Sequence, residues 1–230
     1  AVANWKELNG WPGIDPGHPF TLHRKRKSGR VRPVERSTLR KAMGIIDSEL
    51  LKENLDGLAD RLTGDPTSGF VTPRVSTTLL EDVRAVSRFT QYGKDFEFRC
   101  DESEGRGGRG EAPSPLRYLL TSLAFCQQVW YAKGAAIVGC EVEALDIDVE
   151  TFMDMRGEHL VAGLPVHPQW FLVTATVTSP SSAEVVEAMA MEANRRCPVY
   201  GLLRGAVPIY NRLVHNGEIL TDARPPGPPD

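Results

Sequence analysis

Cysteine is scarce in this chain. The four present in 230 residues, Cys100, Cys126, Cys140 and Cys197, form no CxxC and no Cys/His pair with zinc spacing. That excludes a disulfide framework and leaves each cysteine as a reduced packing residue or a reactive thiol. No apolar run is long enough to span a bilayer, and the opening AVANWKELNGW lacks the apolar stretch of a secretory leader. The expectation is a cytoplasmic chain without a membrane segment. The glycine-rich stretch at residues 102–111, ESEGRGGRGE, lacks the Lys-Ser/Thr of a P-loop and reads as a mobile lid or plain connector. His159 and His167 stand near Asp154 and Glu158 at the spacing of no metal motif, so neither metal nor other cofactor is expected.

What is present is an ordinary globular composition, 41% apolar and 25% charged, with the charge unevenly placed. Nine Lys/Arg against Glu35 alone, between His23 and Ala42, make a local +8 and leave −11 on the rest of a chain of net −3. Such an arm binds nucleic acid or docks on the acidic body of its own or a partner subunit. No aromatic residue lies between Leu22 and Ala42 to stack on bases, which favours self-docking. The chain thus divides into a basic arm, residues 1–46, a folded domain, 47–222, and a proline-rich tail, 223–230.

Within the arm, Ser37 caps a short helical piece reaching Met43. Asp47 or Ser48 starts a helix ended by Gly64-Asp65-Pro66, with Leu50, Leu51, Leu55, Leu58 and Leu62 on one face. From Phe70 the β-branched residues and rough alternation predict strands, with a hairpin turn at Tyr92-Gly93. Two longer strands follow a central helix. The first opens near Cys140; the second alternates Phe171, Val173, Ala175 and Val177 on one face. A helix over 183–197 must stop before Pro198, and AVPIYNRLV forms a last strand. Strands adjacent in sequence with short links predict an α+β domain.

The central helix starts at Ser114-Pro115 and carries LRYLLTSLAFCQQVWYA, apolar on nearly every side and therefore expected to be buried all round. Cys126 lies within it, with Ser122 at i−4 and Trp130 at i+4 on the same face. Cys197 ends the next long helix behind Arg195 and Arg196, whose charge would favour a thiolate, although the C-terminal end of a helix opposes one. A buried helical cysteine taken alone is more often a small hydrophobe than a nucleophile. Trp130 and Tyr131 read as packing, or as the wall of an apolar pocket beside Cys126; Cys100 and Cys140 read as structural.

In this order and spacing, APSPLRYLLTSLAFC, GCEVEALDIDVE and the distal CPVYGLL resemble the OsmC/Ohr family over residues 72–214. The resemblance implies an intertwined homodimer in which curved antiparallel sheets wrap long central helices, with Cys126 and Cys197 approaching one another. It implies a thiol-dependent reductase of organic hydroperoxides, Cys126 peroxidatic and Cys197 resolving, regenerated by a dithiol reductant. Arg99 is the best match for the activating arginine, with Arg88 behind it; Tyr118, Ser122 and Trp130 are the expected substrate pocket for a small apolar molecule. Peroxidase members place a Glu directly after the helix-start proline, where this chain has Leu116. That departure leaves room for another thiolate enzyme on the same scaffold, or for a binding dimer in which the cysteines only pack.

Overall fold

A computed structural model describes residues 44–161 and 163–226. The chain divides into a unit of residues 1–37, outside the described residues, and a unit of residues 38–230. The expected arm up to residue 43, with its short helical piece from Ser37 to Met43, and the last four tail residues therefore lie outside what is described; residues 44–46 are described, and the Ile45 N–H donates to the Val142 carbonyl at 2.7 Å.

Helix α1, Ser48–Gly64, begins where expected: the Asp47 carboxylate accepts from the Leu50 N–H at 3.1 Å and caps the first turn. Strands β1 (Ser76–Glu81), β2 (Arg84–Gln91) and β3 (Lys94–Cys100) form a three-stranded antiparallel sheet in that order. The β2–β3 turn is Tyr92-Gly93, both residues at positive φ, the tight connection whose twist suits a hairpin. Phe89 stacks on Phe96 and Phe98 at centroid distances of 5.6 and 5.7 Å. Only Val86 of this sheet is buried; all six residues of β1 are exposed.

Helix α2, Pro115–Val138, is the central helix, with Pro115 in its first turn and Ser114 ahead of it. Within one chain it buries a single stripe, Leu120, Leu123, Gln127, Tyr131, Gly134, Ala135 and Ala136. The expectation of burial all round is not met among the described residues of one chain: Phe125 is 65% and Val129 50% exposed, on a face that no described element covers. The buried stripe packs on α4, Ala183–Arg196, through Val186, Met189, Ala190 and Ala193, the i, i+3, i+4, i+7 pattern of an amphipathic helix. At Gly134 the two helices approach so closely that a Cβ would stand 2.9 Å from the Met189 carbonyl oxygen.

The second sheet has the order β4-β5-β6-β7. Strands β4 (Ala144–Phe152) and β5 (Trp170–Thr178) are antiparallel, flanking the short helix α3 (Met155–Glu158). Phe171, Val173, Ala175 and Val177 all point into the core, as their alternation predicts. Strand β6 (Ile209–His215) runs parallel to β5, so the sheet is mixed, not purely antiparallel. The reason is the crossover: α4 and α5 (Pro198–Arg204) carry the chain back to the end of the sheet from which β5 started. The chain also continues past the expected last strand. Asn216-Gly217, both at positive φ, turn it into β7 (Glu218–Asp222).

Two buried clusters fill the space between the second sheet and the helices, one around Tyr131, Ala175 and Met189, the other around Leu123, Phe171 and Cys197. Trp130 and Ile147 pack against both and join them. Among the described residues no helix is long and apolar enough to cross a membrane.

Candidate functional site: a pair of thiols between the central helix and the α4–α5 junction

Cys197 is held at a break that Pro198 enforces. It is the last cap of α4, its N–H donating to the Ala193 carbonyl at 3.0 Å, and the first cap of α5, its Sγ accepting from the Tyr200 N–H at 3.4 Å. Leu120, Leu123, Phe171, Val173 and Tyr200 enclose it, leaving it 2% exposed. Cys126 packs against the same cluster from α2 but is only half-buried. Both thiols are free.

Burial pushes the Cys197 thiol from its ordinary value of 9.0 up to about 12, and the neighbouring Cys126 thiol pushes in the same direction; the Tyr200 N–H opposes both. Cys197 is therefore a protonated thiol at neutral pH. Of the two opposed expectations for Cys197, the pull of Arg195 and Arg196 towards a thiolate is not realised. Both guanidinium groups turn away to Glu192, at 2.7 and 2.6 Å, and hold its carboxyl below the usual range. The partly open thiol is Cys126 and the enclosed one is Cys197.

The structure brings the two cysteines together and leaves the other expected residues around them in different ways. Arg99 lies on β3 with its guanidinium bound to Glu97 at 2.9 Å, and Arg88 is bound to the same carboxylate at 2.9 Å. The Arg99 carbonyl accepts from the Tyr118 hydroxyl at 2.5 Å, tying β3 to the start of α2. The described contacts of Arg99 are thus with Glu97 and Tyr118, not with a thiol. Tyr118 also meets Phe98 edge-on at 6.0 Å. Ser122 is exposed on α2, and Trp130 is half-buried with the Lys133 ammonium 4.6 Å from its ring centroid. Cys100 is half-buried; burial, then Glu102 and Asp101, raise its thiol above the ordinary value. Cys140 is buried 3.7 Å from the Ser179 hydroxyl, which donates to the Glu141 carbonyl, a packing role.

Two residues escaped the sequence reading. Gln127, next to Cys126, is fully buried, and neither its amide nitrogen nor its amide oxygen has a hydrogen-bond partner among the described residues. Its i, i+4 register with Leu123 and Tyr131 was the available signal. Asp101, also buried, accepts from the N–H groups of Glu102, Arg109 and Glu111. Those bonds hold its carboxyl below the usual range, Glu111 most of all, with the Arg84 guanidinium assisting. The glycine-rich stretch is consequently pinned down by one carboxylate, contrary to a mobile lid. Arg106 within it is bound to Glu102 at 3.0 Å and Glu158 at 2.5 Å. Among the described residues no three His, Cys, Asp or Glu side chains converge to hold a metal ion.

Comparison with known proteins agrees with this architecture. Residues 108–211 match the family model described as OsmC-like protein. An OsmC-like protein from Mycoplasma pneumoniae superimposes with a TM-score of 0.52 at 17% identity, over 63% of this chain and 99% of that one. A hypothetical protein from Aquifex aeolicus gives 0.51 at 14% identity, over 64% and 98%. An organic hydroperoxide resistance protein from Elizabethkingia anophelis, with crystallant-derived thiocyanate bound, gives 0.50 at 12% identity, over 64% and 99%. At these identities the likeness is one of fold. No curated protein matches the chain. Sequence motifs, topology and the family match coincide on residues 108–211, an OsmC-like domain.

Proposed function

We propose that this chain is a dimeric thiol-dependent reductase of organic hydroperoxides, with Cys126 as the attacking and Cys197 as the resolving residue. One observation carries the proposal: two free thiols are neighbours, one partly open and the other buried and protonated. The Cys126 thiolate attacks the outer peroxide oxygen; the O–O bond breaks, the alcohol leaves after taking up a proton, and Cys126 becomes a sulfenic acid. The Cys197 sulfur then attacks the sulfenic sulfur, its proton leaving with the hydroxyl as water, and a Cys126–Cys197 disulfide forms. A dithiol reductant restores both thiols by exchange. A thiol that stays protonated until its partner is oxidised cannot compete for the peroxide, because the thiolate is the nucleophile. Tyr118, Ser122 and Trp130 are the proposed wall for an apolar alkyl group, and Arg99 the proposed activating charge once Glu97 releases it. The solved relative from Elizabethkingia, named as an organic hydroperoxide resistance protein, supports this class of substrate.

The partner in the proposal is a second copy of the chain. Phe125 and Val129 on α2 and Phe96 and Phe98 on β3 are apolar and open within one chain. Each such side chain gains about 1.5–3 kcal/mol when removed from water, enough for an obligate interface when several are covered together. A second reading, another thiolate enzyme acting on a small apolar molecule, is favoured by Leu116, which offers no carboxylate to draw an arginine off Glu97. Stoichiometric cumene hydroperoxide followed by disulfide mapping separates the two. The first requires a Cys126–Cys197 disulfide and loss of peroxide consumption in Cys126→Ser. Rapid labelling of Cys126 with no peroxide consumed supports the second instead.

A further inference from the structure

Between α4 and the inner face of the second sheet lies a hollow of about 390 Å³, at the small-ligand end of the usual size range. The sheet register decides which side chains reach it. Val173, Asn211 and Leu213 point towards α4, whereas Arg212 alternates onto the opposite face with Thr174 and Asp222. Tyr131 enters from α2. It is 4% exposed, what remains open of it faces this hollow, and its hydroxyl has no hydrogen-bond partner among the described residues. Burial, and after it the neighbouring Tyr200, push that hydroxyl above its ordinary range, so it stays protonated and can donate. Asn211 spends an N–H on the Tyr200 hydroxyl at 2.8 Å, which leaves its amide oxygen to accept. Among the described residues the one carboxylate of the wall, Glu187, is exposed.

We infer that this hollow binds a small uncharged molecule of the primary-amide class with an apolar body. The amide oxygen accepts from the Tyr131 hydroxyl, an amide N–H donates to the Asn211 oxygen, and the body lies against Val173, Ala190 and Leu213. A buried hydroxyl without a partner carries the cost of an unmade hydrogen bond, and a ligand that supplies the acceptor removes it. The donor and the acceptor stand on separate elements, α2 and β6. A primary amide offers its two complementary groups on separate atoms, whereas an alcohol offers both on one oxygen. A carboxylate or an ammonium would meet no opposite charge beside Tyr131 and Asn211 and would be desolvated without compensation.

The test is an NMR titration of the full chain with benzamide, beside benzoate, benzylamine and benzyl alcohol, which keep the ring and change the polar group. Benzamide is expected to bind at one saturable site. The two ions are expected to bind roughly tenfold or more weakly, because their charge goes unpaired in a buried wall. Tyr131→Phe removes only an unpartnered hydroxyl, so it is expected to melt no lower than the wild type while binding benzamide about tenfold more weakly. Asn211→Asp places a carboxylate on the same wall and is expected to reverse the order, benzylamine then binding more tightly than benzamide. Should Tyr131→Phe fail to melt cooperatively, Asn211→Asp alone decides. Absence of saturable benzamide binding overturns the inference. So does any of the other three compounds matching benzamide, benzamide binding undiminished in Tyr131→Phe, or an unchanged order in Asn211→Asp.

Discussion

Gln127 sits one residue from Cys126 with its whole amide buried and unbonded among the described residues. A buried polar group without partners costs about 1–3 kcal/mol relative to one that is satisfied or absent. Gln127→Met, similar in length and without the amide, is accordingly expected to raise stability by roughly 1–2 kcal/mol, read as a higher urea midpoint at unchanged slope. A lower midpoint would mean that the amide is satisfied in the folded protein. Cys197 makes the complementary case. Its thiol is raised from 9.0 to about 12, so the folded state retains a proton that the unfolded state loses as pH climbs. The stability it contributes is complete below about 9 and disappears as pH rises towards 12. Melting temperature should therefore fall more steeply with alkaline pH in the wild type than in Cys197→Val. Parallel slopes would contradict a buried, protonated thiol.

At the scale of elements, the glycine-rich connection between β3 and α2 owes its shape to Asp101. Three backbone N–H groups on residues 102–111 converge on that carboxylate, and the Asp101 N–H itself donates to the Pro113 carbonyl at 3.3 Å. Asp101→Ala removes the acceptor and leaves those donors unpaired, so it should lower the melting temperature and speed amide exchange at Arg109 and Glu111. The acid dependence follows the opposite sign to that of Cys197. Because the Asp101 carboxyl is held below the usual range, its contribution is present above the ordinary carboxylate value and is lost as pH falls through the depressed one. Acid exchange profiles of the wild type and Asp101→Asn should converge at low pH. Nothing in GRGGRG announced this, since the controlling residue lies before the stretch and acts through backbone groups that carry no side-chain signature.

For the molecule as a whole, the decisive feature is the apolar face that one chain leaves open. Phe125 at 65% and Val129 at 50% exposure lie on the same helix as Cys126, on the side away from α4. A helix apolar on both sides, with only one side covered by the described residues, needs a second partner, and a copy of the same chain is the proposed one. Phe125→Lys should convert a dimer to monomer in sedimentation equilibrium while retaining far-ultraviolet helix content. A dimer that persists unchanged would place the contact elsewhere.

What the sequence determined by itself was local or periodic in character. Asp47 as a cap, Tyr92-Gly93 as a turn, the alternation through Phe171 to Val177 and the helix stop at Pro198 depend on neighbours a few residues away, and each stands where the chain's own chemistry puts it. Asn216-Gly217 carries a turn signal of the same local kind, and it leads the chain past the expected last strand into β7. Only the tertiary structure decided the rest. It turned Arg195 and Arg196 to Glu192, enclosed Cys197 and raised its thiol, bound Arg99 to Glu97 and stranded Gln127. The physical reason is that charge, proton affinity and polar satisfaction depend on what arrives through space from distant parts of the chain, whereas helix caps, turns and strand alternation are settled by backbone sterics within a few residues.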